Sequence, residues 1–202
     1  MKKRRLRLWN IYVLVLLFIA GTAKAPGEAS FRTLINALKL RLDKRVATPF
    51  VQAFFPPHEK VDQLLCDLID EESEQIDTAA FQLTDGRIAR ALSGAHGRGV
   101  KVTIVADVGA LGRFNKVVGL FNEGVPVFIY PQNEASQGSL MHNKIMLLHS
   151  LECIVTGSMN FTRSGMESNQ ENLLIIQHQP LFKEYVHQFK YLVQQTTPLG
   201  MR

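Results

Sequence analysis

From Ile76 to Tyr130 the chain alternates short apolar runs with amphipathic stretches, and that alternation restricts it to an α/β architecture. Ile76–Phe81 reads as a strand. Asp85 stands where a helix cap belongs, and Ile88, Ala89, Leu92 and Ala95 follow at helical spacing. Gly97 and Gly99 end that helix, and Val100–Ala106 reads as a buried strand. A helix over roughly Phe114–Asn122 then leads through Gly124 to a strand at Val125–Tyr130. A polar loop, Pro131–Ser139, precedes strands at Leu140–Leu148, Cys153–Thr156 and Asn172–Ile176, and an aromatic-rich helix near Leu181–Val193 closes the chain. Strand, helix, strand, helix, strand followed by a mixed run predicts a layered α/β/α sandwich with a mixed central sheet. The glycine-rich stretch Gly94–Gly99 has a phosphate loop's composition, but it closes a helix instead of opening one and reads as a turn.

Ahead of this unit, Phe31, Leu34, Ile35 and Leu38 repeat at helical spacing behind Ser30, a possible cap. The neighbouring cations Lys39, Arg41, Lys44 and Arg45 suit a solvated helix face, a membrane surface or nucleic acid. Thr48-Pro49 and Pro56-Pro57 mark extended connections. Val61, Leu64, Leu65, Leu68 and Ile69 form a second amphipathic helix that runs into the acidic stretch Asp70–Glu74. The resulting organisation is a leader over 1–25, a helical linker over 26–49 and one α/β domain over 50–202.

The leader decides how the charge is read. The 202-residue chain carries 23 Lys and Arg against 18 Asp and Glu, a net charge of +5. Lys2, Lys3, Arg4, Arg5, Arg7 and Lys24 lie in residues 1–25 with no acid, so the remainder holds 17 basic against 18 acidic residues. The basic balance therefore belongs to the leader and says little about a substrate. A basic start, an apolar run from Ile11 to Ala23 and then small residues have the layout of a secretory signal peptide. Cleavage would follow Ala25, although Pro26 comes next, or Ala23. The alternative is an uncleaved membrane anchor, for which an uninterrupted run of 13 residues is short of the ~20 that a spanning helix needs. Export, to a periplasm or beyond the cell, or attachment to a membrane is the expectation.

Cys66 and Cys153 are the two cysteines, and neither has the spacing of a zinc ligand set. One falls in a helical pattern and the other in an apolar strand, so two buried free thiols are expected.

The chemistry concentrates in Met141–Leu148. On a strand, side chains two apart share a face, so His142 and Lys144 project together. The imidazole can attack phosphorus while the ammonium offsets charge growing on the phosphoryl oxygens. His58-Glu59-Lys60 repeats the triplet with nothing matching downstream, so an H-x-K alone is weak. After Lys144, however, come Gly157-Ser158-Met159-Asn160 and then Asn169-Gln170-Glu171-Asn172. Gly157 permits close backbone approach to a ligand, Ser158 and Asn160 offer neutral groups for phosphoryl oxygens, and Glu171 could accept the other ring N–H of His142. His96, His178 and His187 show no ligand spacing.

Taken in order, Met141–Ile176 resembles the HxK–GSxN–NxE signature of the phospholipase D superfamily, and Ile76–Asp107 is similar to that family's first strand-helix-strand unit. The likeness spans roughly residues 50–195 and fits the small single-motif branch of bacterial Nuc-type endonucleases and mitochondrial Zucchini-like enzymes. The latter carry a cysteine-rich zinc element that this chain lacks. The resemblance implies a metal-independent, cofactor-free reaction in two steps, with a phosphohistidine made by one motif's histidine and the leaving group protonated by a second motif's histidine. With one motif here, the second histidine would come from an identical subunit across a two-fold axis. Carried over, His142 is nucleophile or acid, Lys144, Ser158 and Asn160 bind phosphate, and Glu171 orients His142.

The family pattern HxKxxxxD is broken where His149 replaces its Asp. Seven residues from His142, position 149 falls on the opposite face of a regular strand, where it would support the turn at Ser150 instead of touching phosphate. Three functions follow as expectations: a phospholipase D-type enzyme on phospholipid, favoured because the leader leads to a membrane; an exported nuclease on DNA or RNA; and an inactive binding module, suggested by His149.

Overall fold

The computed structural model describes residues 28–46, 48–131 and 139–200. The leader and most of the polar loop at 131–139 lie outside the described residues.

Among the described residues, eight strands form one mixed sheet in the order β1-β7-β6-β5-β2-β3-β4-β8. They are β1 (Phe50–Phe54), β2 (Gln75–Ala80), β3 (Lys101–Asp107), β4 (Val127–Tyr130), β5 (Lys144–Leu148), β6 (Cys153–Gly157), β7 (Leu173–Gln177) and β8 (Thr197–Pro198). β2, β3 and β4 run parallel, joined by the α/β alternation read from Ile76 onward. From β5 the chain turns back through antiparallel pairs with β2, β6 and β7, and β7 closes on β1. β1 went unread in the sequence because five residues between prolines give too short a pattern.

Of the described helices, four cover one face of the sheet: α1 (Glu28–Asp43), α2 (Val61–Glu71), α3 (Gly86–Gly97) and α4 (Val117–Asn122). Their apolar stripes meet the sheet in the larger core, through Leu38, Leu64, Leu68, Ile88, Leu92 and Leu120. A short α5 (Arg163–Glu167) follows β6, and α6 (Gln179–Gln194) covers the other face, with Phe182, Phe189 and Leu192 packed over Val105, Leu147 and Ile154. The architecture is the layered α/β/α sandwich. The helix expected within a linker at 26–49 buries Phe31, Leu34, Ile35 and Leu38 in the main core, so α1 is part of the domain's outer layer.

Local chemistry sets the boundaries. The Asp85 carboxylate caps α3 by accepting from Arg87 N at 2.8 Å and Ile88 N at 3.2 Å. Burial pushes this carboxyl up, but hydrogen bonds and charge from Arg87 outweigh it and hold the group below its ordinary range. Gly99, at φ +91°, takes the left-handed conformation that ends the helix. α4 starts at Val117 and not near Phe114, because Gly112–Asn115 closes a turn and the Asn115 side chain accepts from Val117 N at 2.7 Å. Both cysteines are free. Burial raises the Cys153 thiol to about 12 and the half-buried Cys66 thiol to about 11.

Candidate active site

The C-terminal ends of β2, β3 and β6 and the starts of β5 and β7 lie at one end of the sheet, since Ala80 pairs with Lys144 and Gly157 with Leu173. The segments carrying His142, Lys144, Ser158, Asn160 and Glu171 meet there.

β5 begins at Lys144, not at Leu140, because the chain before it is held by other bonds. The buried carboxylate of Asp107 accepts from Met141 N at 2.7 Å and from Gly109 N at 2.8 Å. Phe81 N donates to Asn143 O at 2.9 Å. His142 is thereby fixed on an extended, exposed segment between two anchored neighbours. The Lys144 ammonium donates to His142 O at 2.8 Å and stands 3.3 Å from each ring nitrogen of His142. Beneath both lies Phe81, its ring centroid 4.5 Å from that of His142 and 5.1 Å from Lys144 Nζ. Lys144 is only 7% exposed, and burial lowers its pKa while the charge of Glu171 pulls it back up.

Ser158 and Glu171 form a second pair. Ser158 Oγ donates to the Glu171 carboxylate and accepts from Asn172 N at 3.1 Å, while Asn169 Nδ2 donates to Glu171 at 3.3 Å. The carboxylate thus bonds Ser158 and Asn169, whereas the sequence suggested the ring of His142. Strand order gives the reason: β6 lies between β7 and β5, so Ser158, at the end of β6, meets Glu171 first. Glu171 reaches the histidine's neighbourhood through its charge on Lys144. Asn160 is half-buried, and its Oδ1 has no hydrogen-bond partner among the described residues, so the fold leaves its amide unsaturated. Gly157 serves the scaffold, since a Cβ there would lie 2.2 Å from Asn172 O, inside the β6–β7 pairing.

His149 sits at the far end of β5, about 17 Å from Lys144 at ~3.4 Å per strand residue. Its Nε2 is 2.8 Å from the buried carboxylate of Asp77, and its ring meets Phe182 edge-on at 5.2 Å. Glu152 N donates to its carbonyl at 3.1 Å, closing the turn after β5. His149 therefore belongs to the face covered by α6. Asp107 and Phe81 are the residues that sequence reasoning missed. The available signal was position alone, at the C-terminal ends of β2, which pairs with β5, and of β3 beyond it. Among the described residues, no three His, Cys, Asp or Glu side chains converge as metal ligands.

Residues 65–193 match the family described as cardiolipin synthase, PLD-like domain. The chain belongs to the phospholipase D superfamily. It is 28% identical over 196 residues to a phospholipase D of Rickettsia conorii, covering 92% of this chain and 95% of that protein. It is also 28% identical over 132 residues to the mitochondrial cardiolipin hydrolase of Xenopus tropicalis, covering 65% of this chain and 60% of that protein. The crystal structure of the phospholipase D family member Nuc from Salmonella typhimurium is similar with a TM-score of 0.65 at 25% identity, over 75% of this chain and 98% of that one. This phospholipase D-family chain is a phosphodiesterase, a hydrolase of the superfamily.

Proposed function

We propose that this phosphodiesterase cleaves phospholipid without a metal, through a covalent bond from His142 to phosphorus. The observation that carries the reading is the Lys144 ammonium 3.3 Å from both nitrogens of the His142 ring, an imidazole and a cation side by side, which suits attack on phosphorus with the growing charge on its oxygens offset. In the first step a ring nitrogen attacks phosphorus, the bond to the leaving oxygen breaks, and that oxygen takes a proton from His142 of the partner subunit. In the second step water attacks phosphorus, gives a proton to the same partner histidine, and the P–N bond breaks. Lys144, Ser158 and Asn160 hold the phosphoryl oxygens. Glu171 orients Ser158 and keeps Lys144 charged. The shared site requires a homodimer with both His142 rings near a two-fold axis, whose interface would bury on the order of 1,200–2,000 Å².

Three observations favour phospholipid: the Rickettsia relative matched over nearly its whole length is a phospholipase D, residues 26–202 carry nearly balanced charge, and residues 1–25 have the basic-then-apolar layout of a signal peptide or membrane anchor. The test offers anionic phospholipid vesicles and single-stranded DNA side by side across a salt series. Headgroup release from vesicles is expected. DNA cleavage that falls steeply with salt, with no headgroup released, would make the chain an exported nuclease instead.

A further inference from the structure

We propose that the end of the sheet carrying His142 docks face-on to an anionic phospholipid bilayer, an orientation that rests on the phospholipid reading of the site. Three large apolar side chains project into solvent around that end. Phe55, just past β1, is 56% exposed; Phe114, on the turn after β3, is 75% exposed; Leu140, two residues before His142, is 49% exposed. In strand order Phe55 lies three steps from β5 on one side, and the end of β3 lies two steps away on the other. At ~4.8 Å per step Phe55 stands about 14 Å to one side of the histidine's strand, and on the other side the turn carrying Phe114 is tied to the chain just past β2 by Lys116 N, which donates to Leu83 O at 2.9 Å. Arg113 and Lys116 flank Phe114 and form no ion pair with a carboxylate among the described residues, so apolar tips and cations sit together, as an anionic interface requires.

The direction of α1 supplies an independent argument. Phe31, in its first turn, packs edge-on against Phe54 with centroids 6.4 Å apart, and Phe54 pairs with Leu173 at the His142 end. Leu38 O, two turns on, accepts from Gln177 Nε2 at 3.1 Å at the opposite end. α1 thus runs away from the site, and the chain preceding Glu28 joins the fold at the His142 end. That stretch holds the apolar run Ile11–Ala23, five residues from Glu28. Five residues span at most about 18 Å, so a leader held in a bilayer keeps this end against the lipid. The competing surface is the far end of α1, where Leu40 and Val46 are exposed beside Lys44 and Arg45. A two-fold axis along the strands points both subunits' sites the same way, so docking and a shared site are compatible.

The test places one tryptophan at each end of the full chain. In a Trp9→Phe background, Phe114→Trp reports the His142 end and Lys183→Trp the far end. Both proteins are mixed with phosphatidylcholine–phosphatidylglycerol vesicles whose acyl chains carry bromine. Phe114→Trp is expected to be quenched at least threefold more than Lys183→Trp. The triple variant Phe55→Ser, Phe114→Ser, Leu140→Ser is expected to lose at least tenfold in headgroup release from vesicles while hydrolysing a small soluble phosphodiester within twofold of the parent. Equal or reversed quenching with headgroup still released would overturn the docking and leave the substrate reading standing. Quenching as expected, with no headgroup released by the parent, would leave the docking and sink the substrate. If the triple variant instead dissociates in sedimentation and loses the soluble activity as well, the rim is a contact between subunits and the proposal is wrong.

Discussion

Phe81 lies under His142 with ring centroids 4.5 Å apart and planes inclined at 55°, and the same ring faces the Lys144 ammonium at 5.1 Å. One aromatic ring thus supports both the imidazole proposed as nucleophile and the cation beside it, while the Phe81 backbone N–H holds Asn143 between them. Such ring contacts contribute about 0.5–1.5 kcal/mol beyond burial. Phe81→Leu is therefore expected to lower kcat by about tenfold at most, with a smaller change in KM, because it loosens the aim of the imidazole and leaves phosphate binding in place. Steady-state kinetics on a soluble phosphodiester checks this. An unchanged kcat would show that the ring only fills space.

Lys144 gives the pH dependence its sign. Burial lowers its pKa, so its charge is lost, and the rate falls, at a pH below the ordinary lysine range near ~10.4. Glu171 pulls in the opposite direction. Glu171→Gln is expected to move the basic limb of the kcat/KM profile to lower pH and to reduce turnover at neutral pH. A basic limb that stays in place would sever the proposed link from Glu171 to the ammonium.

His149 stands where the family motif has an acid, and its bond to Asp77 locates its role in stability. Asp77 is buried and also accepts from Gln75 Nε2 at 2.9 Å and 3.0 Å, so removing the histidine leaves the carboxylate partly satisfied. His149→Ala should cost about 1.5–3 kcal/mol in unfolding free energy, the range for a hydrogen bond to a charged group. kcat/KM per folded molecule should stay within about twofold, because the side chain is some five strand residues from Lys144. His149→Asp should cost more stability, since it sets a second carboxylate beside a buried one. Chemical denaturation and kinetics on the same preparations separate the two effects. A large kinetic loss at unchanged stability would place His149 in the reaction.

Legibility followed sequence distance. The parallel half of the sheet could be read because Ile76–Tyr130 alternates local patterns, each complete within a dozen residues. His142 and Lys144 could be paired because two residues apart is one face of an extended chain, and the same parity put His149 on the other side. The partner of Glu171 could not be read, because it depends on β6 lying between β7 and β5, a long-range fact with no local mark. Asp107 and Phe81 were hidden likewise: each bonds to the His142 segment from a different strand. The packing of α1 followed the apolar stripe Phe31–Leu38, but which surface that stripe covers was set by β1, itself too short to recognise.

The measurement closest to the central claim is the state of His142 during turnover. The protein is given a phosphodiester substrate with a metal chelator present, denatured in alkali to preserve phosphorus–nitrogen bonds, and the peptide carrying His142 is weighed by mass spectrometry. A phosphoryl or phosphatidyl adduct on His142 is predicted, absent in His142→Ala, with a turnover loss in that variant beyond the ~10²–10⁴-fold typical of losing one general acid or base. An unmodified His142 peptide, together with turnover that chelation stops and His142→Ala spares, would contradict the account.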